Sequence, residues 1–323
     1  MTPSLILLGM PVLLQITPGY RAQQLDAEGA RLVQAGQFAQ AESRFREAVQ
    51  ADPGNVDAVA NLGVAIFKQG RFAESIPYFE QSAARRPQDA ALHNDLAQAY
   101  VRVGRPHDAA VEMARACDLD PKNAAFRRYL GDILLETGDR IAAEKHLRLA
   151  LELNPRSADA HLSLARLYVK EDRKDDAARY YQSSLALNPR QVDARRELGE
   201  LFSTRGDYPS AEREFHRAIA VDPKNAVLHE DLGNALVKSG DAAAATEELR
   251  TAVRLDAKLG PAHRDLGLAL GDTGDLEAAT VSVFLTVGSS HPRYPPAAAR
   301  HRSQSGNRQR WPGAADAAAQ RQG

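Results

Sequence analysis

One cysteine, one tryptophan and three methionines stand among 323 residues, and aromatic residues make up only 6%. The lone Cys117 excludes an intramolecular disulfide framework and a Cys-rich zinc site. Charge of one sign is also missing: 41 Lys and Arg face 42 Asp and Glu, a formal net charge of −1. No global basic field is available to hold a nucleic-acid backbone. The chain has no Gly-rich phosphate loop, Gly-x-Ser-x-Gly, His-Glu-x-x-His, Cys-x-x-Cys or Asn-x-Ser/Thr sequon. Nucleotide-phosphate, acyl-transfer, metalloprotease and dithiol chemistry therefore lack their usual residue sets. No enzyme and no cofactor is expected. The apolar run Leu5–Leu14 is broken by Gly9 and Pro11 and is too short to cross a bilayer.

What is abundant is alanine, with 57 residues. Alanine has the best helix propensity, so the first reading is all-α. Few aromatics and much Ala imply closely spaced helices that meet through small residues. A length prior alone would suggest two domains, but an internal repeat overrides it. Asp52-Pro53, Arg86-Pro87, Asp120-Pro121, Asn154-Pro155, Asn188-Pro189 and Asp222-Pro223 recur every 34 residues. With this proline at position 32, repeats start at 22, 56, 90, 124, 158, 192, 226 and 260. Position 8 is Gly29, Gly63, Ala97, Gly131, Ala165, Gly199, Gly233 and Gly267. Position 20 is Ala or Ser throughout, and position 24 is large, as in Phe45, Phe79, Met113, Leu147, Tyr181 and Phe215.

Positions 4, 7, 8 and 11 share one helical face, and positions 20, 24, 27 and 28 share another. Small residues at 8 and 20 let two helices approach, and the large residue at 24 fills the space beside them. Position 15 is Gly in seven of the eight repeats, which suits the left-handed residue that ends a helix; Asp172 alone departs. Position 34 supplies Asn55, Asp89, Asn123, Ser157 and Asn225 as caps for the next helix. The unit is helix, turn, helix, turn.

This pattern resembles the tetratricopeptide repeat (TPR), with seven full copies and a degraded eighth over 22–286. The resemblance implies a right-handed α-solenoid of antiparallel helix pairs, the TPR superhelix, in which the first helix of each pair lines a concave groove. By the same resemblance, positions 2, 5, 6, 9, 12 and 13 project toward that groove. The candidate peptide-binding residues are Asn61, Phe67, Asp95, Gln98, Val101, Arg102, Arg128, Asp132, Leu135, Arg166, Val169, Arg196, Glu197, Glu200, Asp231, Asn234, Val237 and Asp265. Position 12 forms an apolar stripe and the flanking charges are mildly acidic in sum. That suits a protein or peptide of mixed or slightly basic charge, bound to a non-catalytic scaffold. It does not suit nucleic acid. The alternative is an accessory arm of an enzyme or secretion complex encoded elsewhere, such as an O-linked N-acetylglucosamine transferase. The Lys and Asn clamp for chaperone C-termini is absent, and position 6 lacks the Asn ladder of those transferases.

Two further residue types invite chemistry. His93, His161, His229 and His263 all occupy position 4, alongside Leu25, Val59, Arg127 and Arg195. They read as large half-buried side chains and not as metal ligands. Cys117 shares position 28 with Val49, Leu151 and Ile219, and reads as a buried small hydrophobe.

The ends depart from the repeat. Residues 1–21 form an apolar leader, read as a secretion signal with Thr17-Pro18-Gly19 near its end but without a basic n-region. Export is the expected destination, with a cytoplasmic location as the alternative; an apolar strap on the first repeat is the other reading of the leader. Residues 287–323 carry six Arg and one Asp, a net of +5, amid Pro, Gly, Ser, Gln and Ala. They read as a disordered basic tail.

Overall fold

The computed structural model describes residues 17–275, 277–280 and 282. The leader's first sixteen residues and the basic tail lie outside the described residues. Among those described there are fifteen helices and no strand. The first helices are α1(Pro18–Gln34), α3(Val56–Lys68), α5(Ala90–Arg102), α7(Ala124–Thr137), α9(Ala158–Lys170), α11(Val192–Thr204), α13(Ala226–Ser239) and α15(Gly260–Asp272). The second helices are α2(Phe38–Ala51), α4(Phe72–Arg85), α6(Pro106–Leu119), α8(Arg140–Leu153), α10(Lys174–Leu187), α12(Tyr208–Val221) and α14(Ala242–Leu255). The protein is an all-α array of helix pairs with the packing of a TPR superhelix. α1 starts at Pro18, ahead of position 1 at Ala22. Proline at N1 is preorganised for a helix, and Thr17 Oγ1 accepts from the Tyr20 amide at 3.3 Å.

Helix ends follow the repeat chemistry. Asn55, Asp89, Asn123, Ser157 and Asn225 each accept a backbone N–H in the first turn of the following helix. Position 15 is left-handed in every repeat described, from Gly36 at φ 73° to Gly138 at φ 92°. Asp172 holds the same conformation at φ 57° without being glycine. Two uses of position 16 recur. Asp139, Asp207 and Asp241 cap the second helix. Arg71 and Arg173 reach back instead to Glu42 and Glu144 of the preceding repeat, at 2.7 and 3.8 Å.

The core runs along the array. Ala41, Phe45, Phe79, Ala109, Met113, Leu147, Tyr181, Phe215 and Leu249 are buried between the helices of a pair. Cys117 is fully buried, and its burial pushes the thiol up to about 11. Among the described residues no group of three His, Cys, Asp or Glu could hold a metal ion. No described helix is long and apolar enough to cross a membrane.

Position 4 proves more specific than a generic half-buried site. His93 Nδ1 lies 2.6 Å from Glu112 and Nε2 lies 3.2 Å from the Pro87 carbonyl. His229 repeats this with Glu248 at 2.7 Å and Pro223 at 3.2 Å. Arg195 donates to Glu214 at 2.9 Å and to the Pro189 carbonyl at 2.8 Å. In each case position 4 joins the position-32 carbonyl of the preceding repeat to position 23 of its own second helix. It is a clasp between repeats. His161 and His263 keep only the carbonyl half, to Pro155 and Ala257.

The approach of paired helices sets a packing test. A Cβ on Gly131 would lie 2.6 Å from Leu147 Cγ. Gly131→Leu should destabilise the array by about 1–3 kcal/mol through overpacking. Chemical denaturation followed by circular dichroism measures this, and an unchanged midpoint would refute it.

Candidate peptide-binding groove

First helices pack on the next first helix at most boundaries, α1 on α3, α3 on α5, α7 on α9, α11 on α13 and α13 on α15, while the described second helices make no comparable contact among themselves. The wedge puts the first helices on the inner, concave side. Their positions 5, 6, 9, 12 and 13 line a groove that opens into a cavity of about 810 Å3 between the fourth and sixth repeats. Asp132, Leu135, Arg166, Val169, Arg196, Glu197 and Glu200 line this cavity together. Its apolar floor is Leu135, Val169 and Leu201, with Val169 43% exposed. Phe67, Asp95 and Gln98 line a smaller cavity of about 150 Å3 toward the N-terminal end.

The charged groove residues are largely paired with each other. Arg128 donates to Asp132 one turn away, at 2.5 Å. Arg166 meets Glu197 of the next repeat through three contacts of 2.6–3.1 Å. The Tyr181 hydroxyl donates to Glu197 at 3.0 Å. Arg196 pairs with Glu200 and lies 3.6 Å from Asp231 of the next repeat. Asn61 donates to Asp26 at 2.9 Å and Asn234 to Asp265 at 2.8 Å. Arg102 stacks over the Phe72 ring, 4.1 Å from its centroid. Val101 and Val237 continue the half-buried apolar stripe on α5 and α13.

Asp265 sits deeper than its repeat position suggests. It is only 2% exposed and is held by Asn234 and by Arg264 at 2.7 Å. Its role is to fasten α13 to α15 beneath the groove surface. Tyr181 was invisible among groove candidates because position 24 is a core position. Its hydroxyl reaches Glu197 from behind the first helices, and Tyr in place of Phe or Leu was the only sequence sign.

Several carboxylates in the groove resist ionisation. Burial raises Asp95 and Asp231 to about 6. Burial, with Asp231 and Asp265 adjacent, raises Glu230 to about 7. Burial also raises Asp132 and Glu200. A carboxyl lifted in the fold binds its proton more tightly there than in the unfolded chain. The stability it contributes is complete below the unfolded value near 4.5 and is lost as the pH rises through about 7 for Glu230. Glu230→Gln should therefore raise the melting temperature at pH 8 and leave it nearly unchanged at pH 5. Thermal melts at the two pH values check this; equal shifts at both would contradict it.

Comparisons with known proteins agree with this architecture. The family model for the cilia and flagella-associated protein 70 C-terminal domain, a TPR domain, matches residues 20–268. No curated protein matches the chain. A tetratricopeptide repeat protein from Parabacteroides merdae ATCC 43184 superposes with a TM-score of 0.63 at 17% identity, over 83% of this chain and 100% of that one. The APC/C hetero-tetramer Cut9-Hcn1 superposes with a TM-score of 0.60 at 16% identity, over 80% of this chain and 50% of its matched chain. At these identities the likeness shows the shared fold. The family match extends over most of the chain and over α1 to the middle of α15: the protein belongs to the TPR family of the cilia and flagella-associated protein 70 C-terminal domain.

Proposed function

We propose that the protein is a non-catalytic scaffold that holds an extended protein segment of mixed or slightly basic charge in its concave groove. TPR domains are generally protein-binding, and no catalytic family matches the chain. The single observation behind the finer reading is the apolar stripe of Phe67, Val101, Leu135 and Val169, flanked by paired charges and opening into the central cavity. An apolar seam with polar walls grips side chains of a segment while its backbone stays hydrated or bonded to the walls. The second reading is an accessory arm of an enzyme or secretion complex encoded elsewhere; the family match to a cilia and flagella-associated domain points to neither of these. That second reading makes the array one part of a larger assembly.

Peptides selected from a random display library on the full chain test the groove. Val101→Asp with Val169→Asp should weaken the selected peptides at least tenfold while the helical signal persists. Undiminished binding would move the site off the groove.

Export is proposed from the leader alone. Thr17 caps α1, and Pro18 and Gly19 form its first turn, so cleavage near them would shorten α1 by a cap and up to a turn. N-terminal sequencing of the protein recovered from cells should find a start at or beyond residue 17. An intact Met1 would refute export by this leader.

A further inference from the structure

The two ends of the groove differ in chemistry. Toward the N-terminal end, the repeats starting at 56 and 90 place Ala60, Val64, Asn94 and Gln98 at positions 5 and 9. Phe67 is the centre of this end, with Phe72 and Phe79 edge-on to it at 5.0 and 6.4 Å. Its cavity is lined by Val64, Phe67 and Phe79 together with Lys68, Asp95 and Gln98. Toward the C-terminal end, Glu200, Glu230, Asp231 and Asp265 face only two guanidinium groups, Arg196 and Arg264. Arg196 is committed to Glu200 and Arg264 to Asp265.

Asp231 exposes the shortfall. Its Oδ2 is shut off from solvent and has no hydrogen-bond donor. The nearest cation is Arg196 at 3.6 Å, beyond hydrogen-bond reach. A carboxylate oxygen that neither water nor protein satisfies is costly. An ammonium or guanidinium docked beside this carboxyl, whose side chain stays 16% exposed, would add the donor that the distant Arg196 does not provide.

We propose that the groove reads the order of chemistry along its partner: apolar side chains over the repeats starting at 56 and 90, and Lys or Arg side chains over those starting at 192 and 226. This rests on the groove reading above and specifies the occupant of that site. Packed helices lie about 8–10 Å apart, so four repeat steps separate the two ends by at least roughly 35–40 Å. An extended segment of about 11–12 residues spans that distance. The partner is therefore a segment with an apolar half and a basic half, not a uniformly basic one. Docking a cation also displaces protons. Glu230 faces Asp231, Asp265 and Arg264, and Asp231 faces Glu200 and Arg196. The raised carboxyls are partly protonated near neutrality and lose those protons to the incoming charge.

The test uses fluorescein-labelled 14-residue peptides and the full chain. One peptide carries Leu and Phe in one half and Lys and Arg in the other. A second has the same composition with the two types interleaved. A third replaces the cations with Gln. The bipolar peptide should bind at least tenfold tighter than either of the others. Its binding should release protons, read by calorimetry in buffers of different ionisation enthalpy. Glu230→Gln with Asp231→Asn should abolish both the release and the tenfold advantage. Equal affinity of bipolar and interleaved peptides, or an advantage that survives the double neutralisation, would overturn the proposal. Phe67→Ala separates the two levels. If it weakens all peptides while order has no effect, the groove reading stands and this one falls; if no peptide responds to it or none binds, both fall.

Discussion

The closeness of the two helices in each pair is the constraint on which the rest of the molecule depends. At Gly29, Gly63, Gly131, Gly199 and Gly233 an added Cβ would come within 2.5–2.9 Å of the position-24 side chain. The large residue at position 24 is thus seated on bare backbone. Phe45, Phe79, Leu147, Phe215 and Leu249 are almost wholly buried as a result. A short pair contact keeps each unit thin, and thin units stack with a fixed wedge. The wedge turns the first helices inward and creates the groove. The two repeats with alanine at position 8, Ala97 and Ala165, carry Met113 and Tyr181 at position 24 in place of Phe or Leu.

Polar contacts add orientation to this apolar stacking. The position-4 clasp ties a turn of one repeat to the second helix of the next. The groove pairs, such as Arg166 with Glu197, tie first helix to first helix. Partly exposed ion pairs are worth about 0–1 kcal/mol each, so burial of apolar surface remains the main source of stability. What the pairs supply is direction: each has one geometry, and together they restrict how a repeat rotates on its neighbour. In a quasi-one-dimensional array, that nearest-neighbour geometry sets the overall curve.

The fold was legible because its determinants are local and periodic. Gly at position 15, caps at position 34 and the small–large match of 8, 20 and 24 each act within one unit and recur in phase. The groove was legible as a set of positions but not as an electrostatic surface. Arg166 and Glu197 are 31 residues apart, and their pairing depends on which rotamers meet across a repeat boundary. The net acidity counted from sequence is consequently reduced by internal pairing over the central repeats and survives mainly around Glu230 and Asp231. Asp265 read as a groove residue because its register matches Asp231, yet Asn234 and Arg264 draw it beneath the surface. The histidines at position 4 read as interchangeable with Leu25 and Val59. Their specificity lies in position 23, where Glu112, Glu214 and Glu248 occur with His93, Arg195 and His229. That pairing is a correlation between two helices, and no single-position reading contains it.

Internal pairing also shapes how a groove of this kind selects. A ligand charge placed on Glu197 must compete with Arg166, which already holds both carboxylate oxygens. The gain from such an exchange is close to zero, since one charge-assisted bond replaces another. The same charge placed beside Asp231 displaces no existing hydrogen bond on Oδ2. Selectivity thus concentrates where the ladder is incomplete and fades where it is closed. The closed rungs still serve binding indirectly. They hold adjacent first helices at fixed spacing before any ligand arrives, so less ordering is left to be done on association. On the proposed reading, a self-neutralised middle with an unsatisfied end would discriminate by the position of a cation along a segment, and not by the segment's total charge.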